Sequence, residues 1–157
     1  MLLYRLTRPN YAPGLDGEGA RRAGGRWNSP GWRAVYCASS VSLAAHEVFV
    51  HLPPSMRRPG KLPEMSLVSI KLPDDVGIET VDLADFRVSP SPADSRRRGD
   101  IWLMNGAALV LSVPSLVIPM ERNYILNAGH PGLKDVEDIA IQPFLYDPRI
   151  AMADDQD

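Results

Sequence analysis

The chain has 157 residues, 45% hydrophobic and 23% charged, the size and balance of one soluble globular domain. Its formal charge of −2 gives no general electrostatic reason to bind DNA or RNA. No run approaches the ~18 apolar residues of a membrane span, and fifteen prolines, against an average usage of roughly 5%, predict short elements joined by stiff loops.

Residues 2–6 read as a strand ended by the turn signal Arg8-Pro9-Asn10. Arg5 and Arg8 come before a signal-peptide hydrophobic region can form, so the expected address is the cytoplasm. Residues 12–31 hold Gly14, Gly17, Gly19, Gly24, Gly25 and Gly31 and read mostly as loop. Residues 33–38 read as a buried strand, where the single cysteine, Cys37, acts as a small hydrophobe. Ser39 or Ser40 is placed to cap a helix running to about Leu52, which Pro53-Pro54 stops.

Residues 53–64 form a Pro- and Arg-rich connection. Residues 65–72 alternate as a strand with Val68, Ile70 and Leu72 on one face, and a strand at 78–83 is expected to pair with it. Ser89-Pro90-Ser91-Pro92 reads as loop. Residues 94–106 predict a helix anchored by Ile101, Leu103 and Met104, with Arg96-Arg97-Arg98 as its solvated face. Short strands follow at 108–113, 116–118 and 124–126, then a final strand at 139–145. The acidic tail, 151–157, reads as frayed. With no repeat and no boundary, residues 1–150 read as one domain. Strands and helices do not alternate regularly, which argues against a doubly wound parallel sheet.

Several familiar motifs fail on spacing. His46 and His51 are five apart, which at ~100° per residue sets the rings roughly 140° apart, whereas a zinc helix needs histidines four apart. Gly17-Glu18-Gly19 lacks the third glycine of a dinucleotide loop, and Gly25 stands where a P-loop needs its lysine. The Gly-x-Ser-x-Gly elbow of serine hydrolases is absent.

Glu47 is more informative. On the helical wheel Val41, Ala44, Ala45, Val48 and Leu52 form the core stripe, while Ser42 and His46 mark the polar arc. Glu47 lies off that arc, between Leu43 and Val50 on one side and Ala44 on the other. A carboxylate among apolar neighbours lines a cleft or takes a buried partner; a glutamate at a helix edge and a structural Glu–Arg pair remain alternatives. Arg26 follows Gly24-Gly25, where backbone can approach a ligand closely and a guanidinium fork fits phosphate oxygens; a surface salt bridge serves as well. Trp27 and Tyr36 suit either stacking on a ligand ring or packing in the core. Ser115 is a hydroxyl amid apolar residues, for a ligand or for backbone. Residues 121–127, with His130-Pro131, form a polar cluster that reads as a second cleft wall or as a hairpin.

Together these residues resemble the RES family, named for an arginine, a glutamate and a serine, whose members are toxins of bacterial toxin–antitoxin pairs. The matching text is Gly24-Gly25-Arg26-Trp27-Asn28, Tyr36-Cys37-Ala38-Ser39, Leu43-Ala44-Ala45-His46-Glu47, Val113-Pro114-Ser115, and Asn123-Tyr124-Ile125-Leu126-Asn127 with His130-Pro131. Each block alone is weak; the ordered set, from about residue 4 to 145, is specific. The resemblance implies an α+β, compact ADP-ribosyltransferase-like fold, with small mixed or antiparallel sheets flanked by helices around an NAD cleft. It implies NAD⁺ as substrate with no permanently bound cofactor, and a partner in an Xre-type antitoxin. A toxin acting on an abundant metabolite must be silenced at its site, so that antitoxin is expected to block the cleft; the histidine spacing already argues against a metal. Arg26, Glu47 and Ser115 carry over onto the name-giving positions and Tyr36 onto the active-site tyrosine; Trp27, Asn28 and Asn123 join them as substrate-binding candidates. The reaction so implied is cleavage of the nicotinamide–ribose bond by water or phosphate. Transfer of ADP-ribose to a protein is the alternative, and a non-catalytic binding module is a third reading.

Overall fold

Ser40 decides where the longest early helix begins. Its backbone is extended, and its hydroxyl accepts the Leu43 N–H at 3.1 Å, satisfying an amide that has no partner within the helix. Helix α2 (Val41–His51) follows and stops at Leu52, ahead of Pro53-Pro54. The computed structural model describes residues 1–82 and 91–151. Among these residues there are also two further α-helices and seven strands: β1 (Leu2–Thr7), α1 (Glu18–Ala23), β2 (Ala34–Ala38), β3 (Met65–Lys71), β4 (Ile78–Thr80), α3 (Pro92–Asn105), β5 (Val110–Pro114), β6 (Arg122–Asn127) and β7 (Asp138–Phe144).

The strands join in a single sheet of order β4-β5-β6-β2-β1-β3-β7. All pairings are antiparallel except β4 with β5. This is the α+β arrangement expected, with the strands continuous from edge to edge. The strand expected at 78–83 covers Ile78–Thr80 and pairs with β5, not with β3; its last position lies outside the described residues. Parallel neighbours need a long crossover, and α3 lies in the chain between β4 and β5.

Three other expectations change. The glycine-rich stretch contains α1, where Glu18 meets Arg21 at 2.9 Å and Arg22 at 3.7 Å, three and four residues on, the spacing that brings side chains together on a helix. Residues 116–118 are a turn, because the Val117 and Ile118 amides donate to Ser115 Oγ and not to a neighbouring strand. In α3 the buried anchors are Trp102 and Leu103, while Ile101 and Met104 are exposed. The loop expected at 89–92 lies partly outside the described residues; Ser91 caps α3 by accepting the Ala93 N–H, and Pro92 opens its first turn. The tail from residue 152 also lies outside them.

The two faces of the sheet differ. On one, Leu3, Val35, Cys37, Val68, Ile70, Val110 and Leu126 form one continuous buried cluster with Ala12, Leu15, Leu72 and Leu109. The other face carries two separate clusters. Leu6, Ala38, Met65 and Leu67 pack with Leu43, Ala44 and Ala45 of α2 and with Tyr146. Leu111, Val113 and Ile125 pack with Trp27, Val81 and the α3 residues Trp102 and Leu103. Polar side chains occupy the seam between them.

Candidate active site

Glu47 projects from the second turn of α2 into this seam. Its Oε1 accepts the Ser115 hydroxyl at 2.8 Å and the Asn123 amide, through Nδ2, at 2.5 Å. Three residues spread over 76 positions thus meet at one oxygen. Oε2 accepts no hydrogen bond from the described residues. Helix periodicity explains the direction: Glu47 lies one turn after Leu43, which is fully buried.

Ser115 is committed to this task. Its Oγ accepts the Val117 and Ile118 N–H groups at 3.1 and 2.9 Å, which leaves its one proton for Glu47. The residue is 2% exposed, so it orients the carboxylate from below. Asn123 sits on β6 opposite Ala38. Its Nδ2 reaches Glu47, while its Oδ1 is buried with no hydrogen-bond partner among the described residues. A buried acceptor left unmade costs ~1–3 kcal/mol. Ser40 closes the near end of the seam by donating to Glu121 Oε2 at 3.1 Å.

The turn that carries Arg26 is fastened to the same face by another route. Gly25 and Asn28 form an isolated antiparallel bridge, with the Gly25 N–H on the Asn28 carbonyl at 2.9 Å. Arg26 and Trp27 are therefore the two corner residues of a tight turn. Tyr36 fastens it: its hydroxyl accepts the Trp27 N–H at 3.0 Å and donates to Asn28 Oδ1 at 2.7 Å. Burial raises the Tyr36 pKa to about 12, partly offset by the Trp27 N–H, so the phenol is a neutral donor at physiological pH. Gly25 is required here because a Cβ would stand 2.5 Å from Tyr36 Oη.

Asn28 is fully buried, and its Nδ2 faces the carbonyls of Ala20, Ser29 and Trp32. Trp27 buries its indole in the α3 cluster. Both side chains shape the turn from inside, and Arg26, the other corner residue, is half-buried.

The two constellations share one surface. Tyr36 pairs with Ile125 and Ala38 with Asn123 on adjacent strands, so Tyr36 and Asn123 point to the same side as diagonal neighbours, ~7–8 Å apart. Tyr36 leads to the Arg26 turn and Asn123 to Glu47. A groove of about 390 Å³ lies beside the turn, bounded by Ser29, Trp32, Arg96, Arg97, Ile101 and Met104 among others. It does not include Glu47.

The RES domain family matches residues 2–147 of this chain. The chain belongs to the RES family. It is 38% identical to the protein named "Toxin Res" of Yersinia enterocolitica serotype O:8 / biotype 1B, an alignment covering 96% of this chain and 99% of that relative. It is 35% identical to the "Prs ADP-ribosylating toxin" of Sphingobium sp. strain YBL2, over 92% and 91% of the two chains. Among solved structures it resembles the M. tuberculosis MbcT–MbcA toxin–antitoxin complex, with a TM-score of 0.64 and 20% identity over 90% of this chain and 83% of that one. At that identity the likeness speaks for the fold.

Two contributors escaped the sequence reading. Asp100 of α3 accepts both the N–H and the hydroxyl of Ser29, at 2.8 and 2.6 Å. Gly99 lies against the Trp27 carbonyl. Both follow an arginine run in a helix whose polar residues read as a solvated face, so no local signal marks them.

Proposed function

We propose that this RES-family chain is the toxin of a toxin–antitoxin pair and acts on NAD⁺ by breaking its nicotinamide–ribose bond. The observation that carries the reading is Glu47, one oxygen fixed by Ser115 and Asn123 and the other without a bond from the described residues, on the sheet face that also holds the Arg26 turn. Nicotinamide in NAD⁺ is already cationic and leaves without a proton. The barrier is the positive charge that develops on the ribose, as in glycoside hydrolysis. One preoriented carboxylate is suited to that charge, and its fixed geometry avoids reorganisation during the step.

In this reading Glu47 Oε2 faces the reacting ribose, and Ser115 and Asn123 hold it there. The orphan Asn123 Oδ1 accepts a donor from the substrate. Arg26 clamps phosphate, the Tyr36 ring packs the nicotinamide, and Trp27 and Asn28 shape the turn. The acceptor is water or phosphate, and loss of NAD⁺ in the cytoplasm arrests growth. Transfer of ADP-ribose to a protein is the second reading, favoured by the name of the Sphingobium relative; both begin with the same bond cleavage.

Incubating the protein with labelled NAD⁺ and lysate tests both. Free ADP-ribose or its phosphate ester indicates small-molecule cleavage, and label on a protein band indicates transfer. Glu47→Gln is expected to lose activity by about 10²–10³-fold; wild-type NAD⁺ consumption by that variant overturns the assignment. The partner in this reading is an Xre-type antitoxin that covers the seam. Full NAD⁺ turnover by the purified complex would overturn that arrangement.

A further inference from the structure

The turn that carries Arg26 is held on two sides. Tyr36 grips it from the sheet, and α3 grips it from the opposite flank. The Asp100 carboxylate takes both donors of Ser29, one on each oxygen, across 71 positions of sequence. Such paired bonds to a carboxylate fix orientation as well as distance. One residue earlier, Gly99 lies so close to Trp27 that a Cβ would stand 1.7 Å from its carbonyl oxygen and 2.7 Å from its carbonyl carbon. Those are backbone atoms, which cannot move aside as a flexible side chain can. A helix-interior glycine costs ~1 kcal/mol relative to alanine, and here the close approach of backbone explains it.

The consequence reaches Arg26 through very little chain. Trp27 and Ser29 flank Asn28, and Arg26 directly precedes Trp27. With Trp27 seated on Gly99 and Ser29 bound by Asp100, Arg26 has two fixed points within the next three residues. We propose that Gly99 and Asp100 are positioning residues that set the direction of Arg26, so that α3 controls affinity for the substrate's phosphate end without touching it. This rests on the reading of Arg26 as the phosphate clamp. It assigns α3 a role that its solvated arginine face conceals.

Steady-state kinetics on NAD⁺ and amide hydrogen exchange over residues 25–29 test it together. Asp100→Ala is expected to raise KM about tenfold with kcat within about twofold, and to speed exchange at Trp27 and Ser29. In an Arg26→Ala background the same change is expected to add less than about twofold, because the residue it positions is gone. Asp100→Asn keeps one acceptor for the Ser29 N–H and is expected to recover part of the loss. Gly99→Ala is expected to match Asp100→Ala in KM; if it fails to fold, the Asp100 pair still decides.

A purely structural tie would lower the melting temperature with KM unchanged, or give KM effects that multiply with those of Arg26→Ala; either result overturns the proposal. Unchanged exchange at residues 27–29 overturns it as well, whether or not NAD⁺ is the substrate. Absence of NAD⁺ consumption by the wild type, with faster exchange in Asp100→Ala, would sink the functional reading and leave the positioning of the turn supported.

Discussion

The two faces of this sheet use burial in different ways. The face built on Leu3, Val35, Val68, Ile70, Val110 and Leu126 is one uninterrupted apolar cluster. The face beneath α2 and α3 is divided, with Glu47, Ser115 and Asn123 joined by hydrogen bonds and Tyr36 packed against the Trp27 cluster. Apolar contact is non-directional and scales with area, so the continuous face fixes the strands in register. Hydrogen bonds are directional, so the divided face can aim single atoms. The lesson is a separation of labour: one side makes the scaffold rigid enough for the other to keep a polar seam.

Point variants on each side should separate stability from turnover. Leu126 is fully buried in the continuous cluster, and Leu126→Ala is expected to cost ~2–5 kcal/mol of folding stability. Below its melting point, kcat/KM should stay near the wild-type value; denaturant unfolding and NAD⁺ turnover on one preparation check both. Glu47→Gln should give the opposite pattern. The glutamine carbonyl can still accept from Ser115 and Asn123, so the unfolding midpoint should barely move while turnover falls ~10²–10³-fold, equivalent to ~2.7–4 kcal/mol. A Glu47→Gln protein that unfolds like Leu126→Ala would break the comparison.

Ser115→Ala should fall between them. It removes the proton that orients Glu47 and strands the Val117 and Ile118 amides. A mixed effect follows, with turnover reduced about tenfold and stability by ~1–2 kcal/mol. A change confined to stability would make Ser115 a turn residue only.

How much of this was legible in the sequence depends on distance along the chain. The Ser40 cap and α2 were readable because a capping hydroxyl, an apolar stripe and two prolines lie within fifteen residues. The buried face of β3 followed from alternation. Glu47 stood out through its phase on the wheel, close to the fully buried Leu43. Its union with Ser115 and Asn123 spans 68 and 76 positions, and no local pattern encodes such a contact; only the family resemblance proposed these residues as one set. The phase of α3 was ambiguous because Ile101-Trp102-Leu103-Met104 is an unbroken apolar run, from which periodicity cannot choose a face. Helix α1 was hidden by the glycines around it, although its Glu18–Arg21 and Glu18–Arg22 spacings were present. The parallel pairing of β4 with β5 depends on the sheet order, which strand patterns do not carry.

The finest form of the comparison lies on one strand. Tyr36 and Cys37 are neighbours on β2 but point to opposite faces. Burial raises both pKa values to about 12, from 10.0 for the phenol and 9.0 for the thiol. In each case the folded state holds a proton that the unfolded chain releases at lower pH. Their contribution to stability is complete below pH ~9 and is lost as pH rises toward 12. Tyr146, also raised to about 12 by burial, adds to the loss above pH ~10. At neutral pH none of this is felt, which makes it the smallest expected effect. An unfolding series from pH 8 to 12 should show stability level to about pH 9 and falling beyond it, and Cys37→Ala should flatten the first part of that fall while leaving KM unchanged. Tyr36→Phe should flatten the part above pH ~10 and also raise KM at neutral pH, because the Asn28 and Trp27 bonds go with the hydroxyl. Equal effects of the two variants on KM would mean that the polar and apolar faces are not functionally distinct at this strand.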